Sequence, residues 1–295
     1  MNRDDYPRIS IVTANYNGEA YLECAIRSVL DQEYPDLEYI IIDGGSTDRS
    51  CDIVQKYAHR LAHWESTPDR GFAHAYNKGF ARATGEIQAY LNSDDMYCPW
   101  AFDVVRRCFS DISEMEWLTT LYPMLHGEDA NFVAANKAQP YNRELFYAGH
   151  YGTDLWWIQQ ESTFWRRSLW ERAGGYFDEN LELAIDADLW SRFFEWSELY
   201  AVATPLAGFR RRSDSKTGMN FDAYRKEFEQ ILRNTGKRPD PEAPGSLKSH
   251  LSAILRKGRV IPHTGKTVHW SHAKRRFVAR VNEIEFTASR RADPA

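Results

Sequence analysis

Leu37-Glu38-Tyr39-Ile40-Ile41-Ile42-Asp43-Gly44-Gly45-Ser46-Thr47-Asp48 is the segment that decides the fold. Its first six residues are β-prone, and the unbroken Ile40-Ile41-Ile42 suits a strand covered on both faces, as in a parallel sheet flanked by helices. Asp43-Gly44-Gly45 turns the chain, and Ser46 or Thr47 is placed to cap a helix continued by Cys51, Val54, Tyr57 and Leu61. The same strand–turn–helix unit recurs on either side. Ile9 to Thr13 reads as a strand ended by Ala14-Asn15-Tyr16-Asn17-Gly18, after which Tyr21, Leu22, Ala25, Ile26, Val29 and Leu30 share one helical face. A strand at 63–66, a loop at Pro68-Asp69-Arg70-Gly71, a helix over 73–83 and a strand over 86–91 lead to Asn92-Ser93-Asp94-Asp95. This alternation implies right-handed βαβ units in a mostly parallel sheet. Ligands of such sheets bind beyond the carboxyl ends of the strands, and the polar clusters at 13–17, 43–48 and 92–95 all fall on that edge.

The 295 residues suffice for one large α/β domain or two small ones, and 43% hydrophobic with 27% charged residues excludes disorder as the dominant state. Four cysteines without CxxC spacing suggest neither a zinc site nor a redox motif, only reduced thiols. The sequence shows no signal-peptide-like start and no membrane-span-length apolar run, so the expected location is cytoplasmic. Residues 248–280 hold nine Lys/Arg and no acid; removing those nine charges from the net −5 leaves −14 elsewhere. A basic tail on an acidic body points to an anionic partner or to docking on the body itself. Leu251, Ile254 and Leu255, with Arg256, Lys257 and Arg259, fit an amphipathic helix on an anionic membrane. Nucleic acid is not expected, because no recognition module is visible. Gly236, Pro239, Pro241, Pro244 and Gly245 mark a linker into this tail.

Paired acids at a strand end suit a hard divalent cation that keeps open positions for phosphate oxygens, although Asn-Ser-Asp-Asp is also good turn sequence. Asp43 either accepts hydrogen bonds from the following backbone amides or from a bound base or ribose. Asp188 and Arg192, four apart on a helix, are expected to pair with each other.

Ile11 to Asn17, the helix 21–32, Ile41 to Asp48, Gly71 to Gly79, Ala83-Thr84-Gly85-Glu86 and Leu91 to Asp95 together resemble the family 2 glycosyltransferases of GT-A fold. Gln160-Glu161-Ser162, Gly174 to Asp178 and Asp186-Ala187-Asp188-Leu189-Trp190 agree in order, so the likeness covers about 8–215. It implies a GT-A Rossmann-like α/β fold: a transferase domain over 1–215, with a nucleotide half to about 100 and an acceptor half beyond. A basic, helical extension over 216–295 completes the expected architecture. It further implies an inverting sugar transfer from a nucleotide-sugar, a UDP-sugar by expectation, to a hydroxyl of a glycan or lipid-linked saccharide. The setting implied is bacterial surface-polysaccharide synthesis, with peripheral contact at the inner membrane face.

Carried over by position, Thr13, Asn15, Asp43, Asp69, Arg70 and Lys78 border the nucleotide, with Asn77 in support. Asp94 joins them, and Asp95 is the expected ligand to manganese or magnesium. Asp186 matches the catalytic base. Trp156, Trp157 and Glu161 are the acceptor-side candidates. Three departures stand out: Ile185 replaces a Glu that often precedes the base, His74 replaces a frequent Asp, and Phe209-Arg210-Arg211-Arg212-Ser213 replaces a His that helps hold metal or diphosphate. Arg212 is read as gripping the diphosphate instead, since guanidinium matches phosphate in a bidentate fashion. Rival readings are a sugar transferase acting on polyprenyl phosphate, which needs no strong base, and a non-catalytic nucleotide-sugar or glycan-binding subunit.

Overall fold

A computed structural model describes residues 6–151, 157–212, 220–237 and 263–284. The chain runs β1 (Ile9–Asn15), α1 (Leu22–Leu30), β2 (Leu37–Asp43), α2 (Ser50–Tyr57), β3 (His63–Ser66), α3 (Phe72–Phe80) and β4 (Ile87–Tyr90), with these four strands parallel. It continues through β5 (Met96–Tyr97), α4 (Ala101–Asp111), β6 (Trp117–Thr120), β7 (Met124–His126), β8 (Phe132–Ala135), α5 (Arg143–Tyr147), β9 (Phe164–Arg166), α6 (Arg167–Arg172) and α7 (Ile185–Trp196). Then follow β10 (Tyr200–Val202), β11 (Ala207–Arg210), a long helix Phe221–Asn234, β12 (His263–Ser271) and β13 (Arg276–Ile284).

Nine strands form one sheet in the order β13-β12-β10-β6-β9-β4-β1-β2-β3, and β5-β11-β7-β8 form a second, smaller one. The triple isoleucine behaves as read: Ile40 and Ile42 join Val12 in a core built with α3, α7 and the long helix. Ile41 joins Ile9, Ile11 and Tyr39 in the opposite core, built with α1 and α4. Each such isoleucine, fully buried, contributes roughly 1.5–3 kcal/mol. The mostly parallel α/β expectation therefore holds, because alternate residues of β2 are apolar on both faces.

Two local expectations change. The second helix starts at Ser50, where Asp48 Oδ1 accepts from the Ser50 amide, while the Ser46 hydroxyl turns back to Asp43. The helical reading of the extension holds for Phe221–Asn234 but is corrected for 263–284, which are strands. Thr264, Thr267, Val268, Trp270, Phe277, Val278 and Val281 favour a pleated surface. Val268 and Phe277 are buried in the main core, and Tyr200 of β10 pairs in parallel with Lys266. Of the two readings of the basic tail, docking on the body describes this hairpin; the amphipathic helix expected at 251–259 lies outside the described residues.

Candidate active site

The carboxyl ends of β1 and β2 meet in register at Asn15 and Asp43. Asp43 is fully buried, and its carboxylate accepts from Asn15 Nδ2 (2.7 Å), the Ser46 hydroxyl (2.5 Å), the Ser66 hydroxyl (2.6 Å) and the amides of Gly45 and Ser46. Burial works to raise its pKa, but these donors outweigh it and hold the group below its ordinary range. Thr13, also buried, shares a hydrogen bond with the Tyr39 hydroxyl at 3.1 Å. Gly18 packs between Asn15 and Ser93, so that a Cβ there would overlap Asn15 Oδ1. The first strand end is thereby joined to the loop after β4.

That loop carries the acid pair. Asp95 is 1% exposed; its Oδ1 accepts from the Arg210 amide (2.9 Å) and its Oδ2 from Asn92 Nδ2 (3.2 Å) and Gln160 Nε2 (3.0 Å). Burial, then the charges of Asp94 and Glu161, push its pKa well up. Asp94 is the accessible member, its side chain 25% exposed and ion-paired with Arg212 at 2.9 Å. Arg210 is buried and laces the loop to the small sheet, donating to the carbonyls of Asp94, Gly127 and Glu128. Both guanidinium groups stack on Tyr21, at 4.7 and 4.9 Å from its ring centre.

A short turn, Gln160–Ser162, connects this pair to the next acid. Glu161 is 1% exposed, with Oε1 lacking a hydrogen-bond partner among the described residues. Burial, reinforced by Asp186, pushes its pKa up to about 8. Asp186 sits in the first turn of α7, accepting on Oδ1 from the Ala187 amide (2.8 Å) and the Tyr224 hydroxyl (3.0 Å). Burial raises its pKa to about 6, against the lowering by those two donors. Asp94 and Glu161 both raise the pKa of Asp95, and Asp186 in turn raises that of Glu161.

The remaining expected residues serve nearby loops. Asp69 lies over Gly44, where a Cβ would press on its carboxylate, and accepts from the Gly71 amide at 2.8 Å. Arg70 pairs with Glu179, and Asn77 clasps the Phe177 backbone through both its amide oxygen and nitrogen. Lys78 pairs with Glu65 and donates to the Thr67 hydroxyl at 2.7 Å, bracing β3 against α3. Asp188 pairs with Arg192, as expected. Among the acceptor-side candidates, Trp156 lies outside the described residues. Trp157 packs edge-on against Tyr224 at 4.7 Å, and Glu161 is interior. Trp165, Tyr147 and Tyr151 are buried in the core.

Sequence reading missed Arg210, Tyr21, Tyr224 and Glu227. Only Arg210 had a signal, its place in the Arg run; the other three depend on long-range packing. Among the described residues, no group of three or more His, Cys, Asp or Glu is arranged to hold a metal ion. A magnesium-like cation needs only one or two carboxylates, with phosphate and water completing its shell. Asp95, the expected ligand, is buried with its carboxylate taken up by Arg210, Asn92 and Gln160, so the accessible Asp94 is the better placed of the pair to meet that requirement.

Residues 10–107 match the family model described as Glycosyl transferase family 2. The putative teichuronic acid biosynthesis glycosyltransferase TuaG of Bacillus subtilis is 40% identical over 94 residues, 31% of this chain and 37% of that protein, so the match spans about a third of either. Staphylococcus aureus TarS 1–349 with UDP-GlcNAc superposes with a TM-score of 0.58 at 16% identity, covering 86% of this chain and 76% of that one. The mannosyltransferase PcManGT of Pyrobaculum calidifontis, solved with GDP-Man and Mn2+, gives 0.56 at 18%, covering 85% and 70%. At these identities the structural likeness is one of fold, and the fold is GT-A.

Proposed function

We propose, for a chain that carries a glycosyltransferase family 2 domain on a GT-A fold, an inverting transfer from a nucleotide-sugar, a UDP-sugar, to a hydroxyl of a glycan or lipid-linked saccharide. The observation that carries this reading is Asp186 in the first turn of α7, its Oδ1 accepting from the Ala187 amide and the Tyr224 hydroxyl, with its pKa raised to about 6 by burial. A base poised near the working pH can take the acceptor's proton while its oxygen attacks the anomeric carbon. The bond from that carbon to the diphosphate oxygen breaks, and its electron pair leaves with the nucleoside diphosphate. Asp186 then returns the proton to water.

The diphosphate is assigned to the Asp94 edge, where Arg212 grips its oxygens and Arg210 fixes the loop. A manganese or magnesium ion, when bound, neutralises charge on the departing diphosphate; Asp94 would reach it, with Asp95 behind holding the loop. Asp43, Asn15, Thr13 and Asp69 are assigned to shaping the nucleoside side. The donor in TarS and the cation in PcManGT support these assignments, and the TuaG likeness supports a role in bacterial cell-surface polysaccharide synthesis.

No helix among the described residues is long and apolar enough to cross a membrane. Contact with an anionic membrane stays assigned to the basic amphipathic segment 251–259, which lies outside the described residues. The test is a screen of nucleotide-sugars with Mn2+ for release of nucleoside diphosphate, repeated with Asp186→Asn. Loss of turnover with donor binding kept supports the reading. Undiminished transfer by Asp186→Asn to a lipid phosphate would instead support the polyprenyl-phosphate alternative.

A further inference from the structure

We infer that Tyr224 and Glu227, on one face of the helix Phe221–Asn234, are positioning residues that hold Asp186 and the backbone leading into it. The inference rests on the reading of Asp186 as the base. Glu227 accepts on Oε1 from the Glu182 amide (3.0 Å), and on Oε2 from the amides of Leu183 (2.9 Å) and Ala184 (2.8 Å). Three consecutive N–H groups aimed at one carboxylate form an anion-holding nest, here filled by the protein's own side chain. It takes the place of a local cap: Ala184, the residue before α7, has no side chain that can cap the helix. Three residues earlier, and therefore on the same helical face, the Tyr224 hydroxyl donates to Asp186 Oδ1. One helix thus fixes both the backbone entering α7 and the plane of the Asp186 carboxylate.

The helix is itself tightly held. Tyr224, Phe228, Ile231 and Leu232 are buried, and Trp157 packs edge-on against Tyr224 and Phe228 at 4.7 and 5.7 Å. Trp157, an acceptor-side candidate, buttresses Tyr224 and through it the residue that bonds Asp186.

The two residues push Asp186 in opposite directions. Glu227 is a like charge that raises its pKa, whereas the Tyr224 hydroxyl donates to its ionised form and lowers it. The other titratable groups facing Asp186 are Glu161, on the turn before β9, and Tyr90, on β4. Both are themselves pushed upward by burial.

The test compares wild type, Asp186→Asn, Glu227→Gln and Tyr224→Phe. It measures hydrolysis of UDP-glucose and UDP-N-acetylglucosamine with Mn2+ across pH 4.5–8, along with hydrogen exchange of the peptide covering 180–190. Glu227→Gln is expected to lower kcat about ten-fold or more with donor KM unchanged, as displaced catalytic groups do. It should also move the acid limb to lower pH and speed exchange in that peptide. Tyr224→Phe is expected to move the acid limb the other way, to higher pH. A merely structural role would alter melting temperature without opposite shifts of the limb. Shifts in the same direction, no shift, or unchanged exchange in Glu227→Gln would overturn the inference. Undiminished turnover by Asp186→Asn would overturn the base reading itself, and if neither donor is hydrolysed, the exchange result decides whether Glu227 orders the segment.

Discussion

Asp43, at the end of β2, and Asp186, in the first turn of α7, are acids that the protein treats in opposite ways. Asp43 receives hydrogen bonds from Asn15, Gly45, Ser46 and Ser66, and its pKa falls below the usual range although it is fully buried. Asp186 receives one amide and one hydroxyl, and burial wins, lifting it to about 6. Donor count measured against desolvation separates an acid that organises structure from one that can exchange a proton at physiological pH.

The largest effect expected from this contrast is on turnover. Asp186→Asn should cut kcat by about 10²–10⁴-fold, the usual worth of a positioned base, with donor binding retained in a thermal-shift titration. The two acids should also differ in sign of stability. A folded-state pKa raised above the unfolded value means that the native form binds more protons between about pH 4 and 6, so stability contributed through Asp186 falls as pH rises through that window. Asp186→Asn should therefore raise the melting temperature at pH 7.5, by up to about 1–2 kcal/mol in stability. The lowered pKa of Asp43 works the other way: its contribution is present above the unfolded pKa and is lost as pH falls through the folded one. Asp43→Asn should lower the melting temperature at pH 7.5, by about 2–3 kcal/mol in stability, because several buried donors lose a charged acceptor. Melting curves of both variants at pH 5 and 7.5, extended below about pH 4 for Asp43→Asn, check both signs.

Smaller effects sharpen the same contrast. Arg212→Ala removes the partner of Asp94 and should weaken donor binding about ten-fold, measured by titration with UDP; unchanged affinity would refute the phosphate role. Gly18→Ala places a methyl group on Asn15 Oδ1 and should cost about 1–3 kcal/mol in a melting experiment. A loss of that kind would confirm that the Asp43 network depends on the close packing of Gly18 against Asn15.

How far the sequence could be read follows the range of the interactions. Ile40-Ile41-Ile42 announced a doubly covered strand because periodicity is local, and Asp94-Asp95 stood out because strand-end acids are adjacent in sequence. Tyr224 and Glu227 gave no signal, since their meaning comes from a carboxylate and three amides some forty residues earlier that only the folded chain brings near. The hairpin β12–β13 was hidden for a related reason. Its basic residues dominated the composition, whereas its strand character lies in alternate residues such as Val268 and Phe277, whose burial depends on a sheet edge built far upstream. The packing of Trp157 on Tyr224 and Phe228 was equally invisible, because it too joins residues far apart in the chain.

The most direct test of the central claim is the pH–rate profile of donor turnover. A single acid limb with its midpoint near pH 6 in the wild type, absent in Asp186→Asn while donor still protects that variant against heat, is the result predicted here. A limb that persists unchanged in Asp186→Asn, or turnover equal to wild type at every pH, would contradict it.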